Sequence, residues 1–240
     1  MALQPWRKGK VIRIDDHTYN TKQFWIEVPE LERFDFIPGQ FVTLDLPIHE
    51  KPNKRWRSYS ISSWPDGTNV FELVIVLADG GLGTAYLFNE VSVGSELTFR
   101  GPQGVFILHE PLEKDIFLIC TGTGIAPFRS MINYLHLHNT PKKNIYLIFG
   151  CRKKADLLYY DELKALQEKV PGFHYLPTLS REQLEGFHHG YVHTIYEDIC
   201  RDRPEAGFFL CGWKLMIDEA KKRIMDMGYD RKAIHQELYG

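Results

Sequence analysis

Cys120-Thr-Gly-Thr-Gly-Ile-Ala-Pro-Phe-Arg-Ser130 follows the apolar run Asp115-Ile-Phe-Leu-Ile119. The run reads as a buried strand, and the segment from Pro127 to His138 reads as a helix. Gly122 and Gly124 have the spacing of the first two glycines of a dinucleotide fingerprint, and Pro127 stands where the third would fall. Proline suits the first helical turn, where its missing N–H is not needed. Glycines at Gly122 and Gly124 let backbone N–H groups approach phosphate oxygens, with the positive end of the helix behind them. A tight strand–helix turn with no ligand is the competing reading of these residues alone.

Beyond this stretch the chain alternates. NIYLIFG is a strand, ADLLYYDELKALQEK a helix, and FHYLPTLS, AGFFLCG and KAIHQELY further strands, with WKLMIDEAKKRIMDMG a helix between the last two. Such alternation predicts a mostly parallel, doubly wound α/β sheet. Before Pro102 the rhythm differs. KVIRID, QFWIEV, QFVTLDL, RSYSIS and FELVIVLA are short and rich in β-branched and aromatic residues, with PGQ, PDG and DGG as turn signals. They predict a small antiparallel β-barrel or a sandwich, with one helix around Thr84 to Val91. The expected domains are 1–110 and 111–240, with the boundary near His109 to Glu113.

The bulk numbers suit one large domain or two smaller ones: 240 residues, 44% hydrophobic and 25% charged. A formal charge of −2 argues against nucleic acid as the main partner. Cys120, Cys151, Cys200 and Cys211 form no CxxC pair and show no zinc or iron–sulfur spacing. His136, His138, His188 and His189 lack an acidic partner at ligand spacing, so no metal is expected. The cysteine usage fits a reducing, cytoplasmic setting. The N-terminus MALQPWRKGK has no apolar signal region and no run of 18 apolar residues occurs, so neither a signal peptide nor a membrane span is expected.

Two further stretches carry chemistry. After NIYLIFG come Cys151-Arg152-Lys153-Lys154, three cations where an NAD site usually has a carboxylate for the ribose. This favours a 2′-phosphate and so NADP, against the alternative of a solvated basic loop. In Arg55-Trp-Arg-Ser-Tyr-Ser60, alternation puts Arg57 and Tyr59 on one face of a strand and Ser58 and Ser60 on the other. An arginine grips phosphate bidentately, and a tyrosine offers a flat face and a hydroxyl.

With these residues in order, the sequence resembles the ferredoxin–NADP reductase superfamily of flavoenzymes. The resemblance runs through Arg57-x-Tyr59-Ser60, Gly80-Gly81-Leu82-Gly83-Thr84, Gly101-Pro102-Gln103-Gly104, the Thr121-Gly122-Thr123-Gly124 loop, and Cys211-Gly212 with Met216 beyond. It covers almost the whole chain. It implies an FAD-binding barrel followed by an NAD(P)-binding α/β domain. Arg57 would pair with the flavin pyrophosphate, Tyr59 contact the isoalloxazine or ribityl chain, and Ser60 lie near flavin N5. Gly81, Gly83 and Thr84 would serve the flavin phosphates. Thr121, Gly122, Thr123 and Gly124 would hold the NADP pyrophosphate, and Cys211 with Gly212 would lie near the nicotinamide. Arg152, Ser180 and Arg181 would take the 2′-phosphate. Near the C-terminus, Tyr239 would stack on the flavin and Glu237 supply an acidic group; a tyrosine packed on the domain surface is the alternative. Ser60, Cys211 and Glu237 are the candidate catalytic residues.

The implied reaction passes a hydride from NADPH to FAD and then single electrons to an acceptor such as ferredoxin or flavodoxin. No ferredoxin-like cysteine cluster or globin domain is present, so the acceptor is expected to be separate. Lys8, Lys10, Lys51, Lys54 and Arg55 are candidates for steering an acidic partner, against ordinary surface charge. Three alternatives stand beside this reading. They are an NADH-linked reductase serving an oxygenase or free flavin, a non-catalytic electron-transfer subunit, and a nucleotide-binding regulatory module.

Overall fold

The structure, a computed structural model, describes residues 4–239. Contacts divide the chain into two compact units. One runs to Ile107 and also takes in Ala126–Leu135; the other holds Leu108–Ile125 and continues from His136.

In the first unit the period-two segments form β1 (Trp6–Thr18), β2 (Thr21–Glu27), β3 (Phe41–Asp45), β4 (Trp56–Ser60), β5 (Val70–Val76) and β6 (Glu96–Gln103). All pairings are antiparallel, in the order β4-β3-β6-β1-β2-β5. The sheet curls shut where the chain leaving β4 meets β5: Ile61 bridges Leu73, and the Ser62 N–H donates to the Glu72 carbonyl at 2.9 Å. Closure removes the edges that such strands would otherwise expose. The interior takes alternate residues, among them Phe24, Ile26, Val42, Leu44, Phe71 and Phe99. Phe71 lies 4.8 Å from Phe34 and 5.1 Å from Phe99, ring centre to ring centre. Each such ring contributes about 1.5–3 kcal/mol by leaving water.

β6 is central, yet the sequence signals did not mark it as a strand, because Gly101-Pro102 reads as a breaker. Pro102 falls in a register shift: Thr43 pairs with Arg100 and Phe41 with Gln103, so the proline sits where the ladder skips. The helix α1 (Leu82–Asn89) begins two residues before the expected start.

The second unit has β7 (Asp115–Thr121), β8 (Ile145–Cys151), β9 (Phe173–Leu179), β10 (His188–His189), β11 (Ala206–Trp213) and β12 (Ile234–Tyr239). They pair in parallel in the order β10-β9-β8-β7-β11-β12. The connecting helices are α2 (Ala126–Leu137), α3 (Tyr160–Lys169), α4 (His193–Ile199) and α5 (Lys214–Asp226). One row of rings crosses four strands in register. Phe208 stacks on Phe117 at 5.1 Å, Phe117 on Tyr146 at 4.8 Å, and Tyr146 on His174 at 4.8 Å.

Two helices depart from the sequence reading. The segment from Ala155 was expected to be helical, but α3 starts at Tyr160. Leu157, Leu158 and Tyr159 are all buried, and three successive side chains cannot share one helical face; Tyr159 instead takes φ 55° and turns the chain. α4 is short and was not anticipated; burial of His193, Ile195 and Tyr196 holds it. Among the described residues, no helix is long and apolar enough to cross a membrane.

Candidate functional site

The first candidate site is built on β4 and the start of α1. Trp56, Arg57 and Tyr59 are half-buried, Ser58 is exposed and Ser60 is buried. The stem of Arg57 lies against Gly83. A Cβ on Gly83 would stand 3.0 Å from Arg57 Cγ and 3.2 Å from Nε. Arg57 Nη1 donates to the Lys54 and Trp56 carbonyls at 3.1 and 2.8 Å, which fixes the guanidinium. The N–H groups of Leu82, Gly83 and Thr84 open α1 and have no acceptor within the helix. Thr84 Oγ1 is committed to its own turn, donating to the Gly81 carbonyl and accepting from the Ala78 N–H, each at 3.1 Å. Thr84 therefore offers an anion its backbone N–H. Burial pushes the Tyr59 phenol up to about 12, with Arg57 pulling the other way, so Tyr59 stays a neutral donor. A guanidinium clamped beside free helix N–H groups, with a glycine where a side chain would collide, fits a pyrophosphate.

The second candidate site lies at the carboxyl ends of the parallel strands, where the strand order reverses between β7 and β11. A tight turn over Gly122–Ile125 follows β7. Gly124 abuts the neighbouring strand: its Cβ would stand 2.4 Å from the Cys211 carbonyl oxygen. Gly212, at φ +134°, abuts in return, its Cβ 2.5 Å from Thr121 Oγ1. Gly122, at φ +54°, faces open space apart from Trp213 Nε1 at 4.0 Å. Two glycines thus bring the backbones together, and the third leaves room for a ligand. The Trp213 N–H donates to Thr121 Oγ1 at 3.4 Å, and the indole is exposed.

The loops after β8 and β9 meet beside this turn's sheet edge. The Ser180 N–H donates to the Cys151 carbonyl and the Arg181 N–H to the Arg152 carbonyl, both at 2.9 Å; Ser180 Oγ adds a bond to Cys151 at 3.2 Å. Arg152 and Arg181 are therefore neighbours, both exposed. The loop also contains two carboxylates, Asp156 from the same stretch and Glu182 from the loop after β9. Asp156 accepts the Lys153 N–H at 2.9 Å, and Glu182 accepts the Lys154 N–H at 2.7 Å.

A family model described as the oxidoreductase FAD-binding domain matches residues 8–107, and one described as the oxidoreductase NAD-binding domain matches 118–222. Over 214 residues the chain is 32% identical to ferredoxin–NADP reductase B of Sorangium cellulosum, covering 86% of each chain. The chain belongs to the ferredoxin–NADP reductase superfamily. Among other relatives, it is 29% identical to the electron transfer component of 2-halobenzoate 1,2-dioxygenase from Burkholderia cepacia, matching 89% of this chain. The chain spans only 61% of that relative's length. A crystal structure of a ferredoxin NADP+ reductase from Neisseria gonorrhoeae with bound FAD and NADP superposes with a TM-score of 0.81 at 26% identity, covering 97% of this chain and 98% of that one. Both sheets of the superfamily fold are present as the sequence implied, antiparallel first and parallel second.

Within the superfamily frame, the remaining expected residues fall as follows. Cys211 is wholly buried and pairs in register with Cys120 on β7. Burial pushes its thiol well up, so it stays protonated and offers packing rather than charge. β12 lies beside β11, with Glu237 opposite Cys211 and Tyr239 opposite Trp213. Both are half-buried. Of the five candidate steering cations, Lys8 pairs with Glu96 at 2.9 Å, and Arg55 grips Asp45 through Nε and Nη2. Trp213 was missed in the sequence reading; its position directly after Cys211-Gly212 was the available signal.

Proposed function

We propose that this chain is a flavoprotein reductase that takes a hydride from NADPH and delivers single electrons to a separate acceptor of the ferredoxin or flavodoxin kind. The observation that carries the reading is the pairing of two glycine-lined cradles in one chain, Gly83 against Arg57 and Gly124 against Cys211. Arg57 and the first N–H groups of α1 hold the flavin pyrophosphate. Tyr59 gives the flavin a flat, neutral face, and Ser60 is the hydroxyl near N5. Thr121 to Gly124 take the nicotinamide dinucleotide's pyrophosphate, with Gly122 as the open position. Bound FAD supplies the conversion of one two-electron donation into two single-electron deliveries. Cys211 and Gly212 shape the nicotinamide end, Glu237 is the nearby acid, and Tyr239 is the aromatic ring at the end of the last strand.

The preference for NADPH rests on Arg152, Lys153, Lys154 and Arg181, four cations against the two carboxylates Asp156 and Glu182. Ser180, next to Arg181, adds a hydroxyl bonded to the Cys151 carbonyl. Comparison of kcat/KM for NADPH and NADH tests this, and a clear preference for NADH would overturn it. A second reading has its own support. Relatives include an electron transfer component of a dioxygenase and the glycine betaine monooxygenase reductase subunit of Pseudomonas aeruginosa, 30% identical over 251 residues. That reading makes the chain the reductase of an oxygenase system, with NADH as donor. The two readings share FAD, so a flavin spectrum after purification and FAD addition tests what is common to both.

A further inference from the structure

Glu72 occupies an unusual place for a carboxylate. It alternates along β5 with the core residues Phe71 and Leu73, so it lies on the outer face of the barrel wall, yet it is only 2% exposed. Its cover includes Arg129 of α2, whose first turns belong to the barrel unit. Arg129 is itself 7% exposed. Arg129 Nη1 bonds Glu72 Oε2 at 2.8 Å and the Ser62 carbonyl at 3.0 Å, and the guanidinium lies 5.3 Å from the centre of the Trp64 ring. Gln23 Nε2 donates to the other oxygen of Glu72 at 2.9 Å. Phe128 packs on Phe106 at 5.8 Å beside the same helix.

A buried ion pair is weak evidence for stability, because two desolvation costs offset its attraction, and an apolar pair of like volume often does as well. Its geometric consequence is more specific. One guanidinium nitrogen, Nη1, is bonded both to a strand carboxylate and to a loop carbonyl, and neither bond tolerates displacement in a dry setting. The Ser62 carbonyl lies two residues after Ser60, at the end of the Arg57–Ser60 strand. Arg129 lies one turn into the helix fed by the Gly122–Ile125 turn. A single side chain therefore tethers the backbone that leaves the flavin strand to the helix that follows the nucleotide turn.

We propose that Arg129 is a positioning residue, holding the Ser60–Ser62 backbone and the opening turns of α2 as one rigid block and thereby setting the affinity of both nucleotide-binding segments. The inference rests on the functional reading above. Arg129 acts through the two segments it bonds, so its effect must appear in binding rather than in the fold alone.

The test uses the full chain in three forms: wild type, Arg129→Lys, and the double variant Glu72→Leu with Arg129→Met. Calorimetric titration gives Kd for FAD and for NADP+, and thermal melting gives Tm. The double variant keeps the volume and removes both charges, so it is expected to fold with a Tm within about 5 °C of wild type. Its Kd for FAD and for NADP+ is expected to rise at least tenfold. Arg129→Lys keeps the charge but loses the fork, and its constants are expected to fall between the two. A folded double variant with wild-type constants overturns the inference. So does failure of both variants to fold, which would assign the pair to stability alone. Failure of the wild type to bind FAD or NADP+ defeats the functional reading itself, and that result is read from the wild type before any variant.

Discussion

Gly124 lies directly against the main chain of Cys211, so close that a Cβ there would stand 2.4 Å from the carbonyl oxygen and 2.7 Å from the carbonyl carbon. The obstacle is backbone on a central parallel strand, which has no rotamer to change. Gly124→Ala is expected to force the turn off β11, costing about 1–3 kcal/mol of stability. NAD(P)H binding should weaken at least tenfold while FAD binding stays near wild type. Gly122→Ala meets open space and carries only the left-handed strain of about 1–2 kcal/mol. Titration of both variants with each nucleotide checks the order.

Arg57 and Gly83 make the corresponding contact in the barrel. Arg57→Ala removes the guanidinium and is expected to yield protein with little bound flavin, visible as loss of the yellow absorbance. Gly83→Ala meets only the Arg57 stem, a flexible side chain at 3.0 Å. It should displace the guanidinium by a few tenths of an ångström and lower FAD affinity less than Arg57→Ala does. Arg57→Lys keeps a charge without the fork and should not restore wild-type affinity.

Arg152 and Arg181 are joined through one backbone hydrogen bond. Each charge-assisted contact to a 2′-phosphate is worth about 1.5–3 kcal/mol. Arg152→Ala with Arg181→Ala is therefore expected to lower kcat/KM for NADPH about 100-fold or more and leave NADH nearly unchanged. Equal losses for the two nucleotides would show that these arginines do not read the phosphate.

His193 links α4 to α5. Nδ1 bonds the Tyr196 hydroxyl at 2.9 Å, Nε2 lies 3.4 Å from Glu219, and Arg223 and Glu197 complete the cluster. Burial lowers its basicity below the ordinary 6.5, with Arg223 adding to the lowering and Glu219 and Glu197 opposing it. The folded protein therefore favours neutral His193. As pH falls below about 6.5 the unfolded chain takes up this proton first, so stability is present above that value and is lost toward the lower folded-state value. His193→Gln is expected to flatten the fall in Tm between pH 6.5 and 5. A parallel fall in both proteins would assign the acid loss to other groups.

Much of the fold was legible because each half of the sequence has its own period. Alternating β-branched residues before Pro102 and apolar runs joined by helical stretches after it follow from local backbone geometry. The ordered motifs from Arg57 to Cys211 were legible for a related reason, since close approach of backbone to phosphate demands glycine at fixed spacing. What local signals could not supply was anything set by partners far along the chain. β6 is central because β1 and β3 pair with it, despite Gly101-Pro102. Glu182 joins the basic loop because β8 and β9 lie side by side. Arg129 and Glu72, separated by 57 positions, each look like an ordinary surface charge until the barrel closes and α2 covers them.

The sequence by itself determined the two architectures and the residue types able to hold two nucleotides, because periodicity and glycine spacing are local properties of the chain. Only the tertiary structure decided which glycines touch backbone and which face open space. It alone also decided which cations are neighbours and which charges are buried, because those follow from strand order and packing.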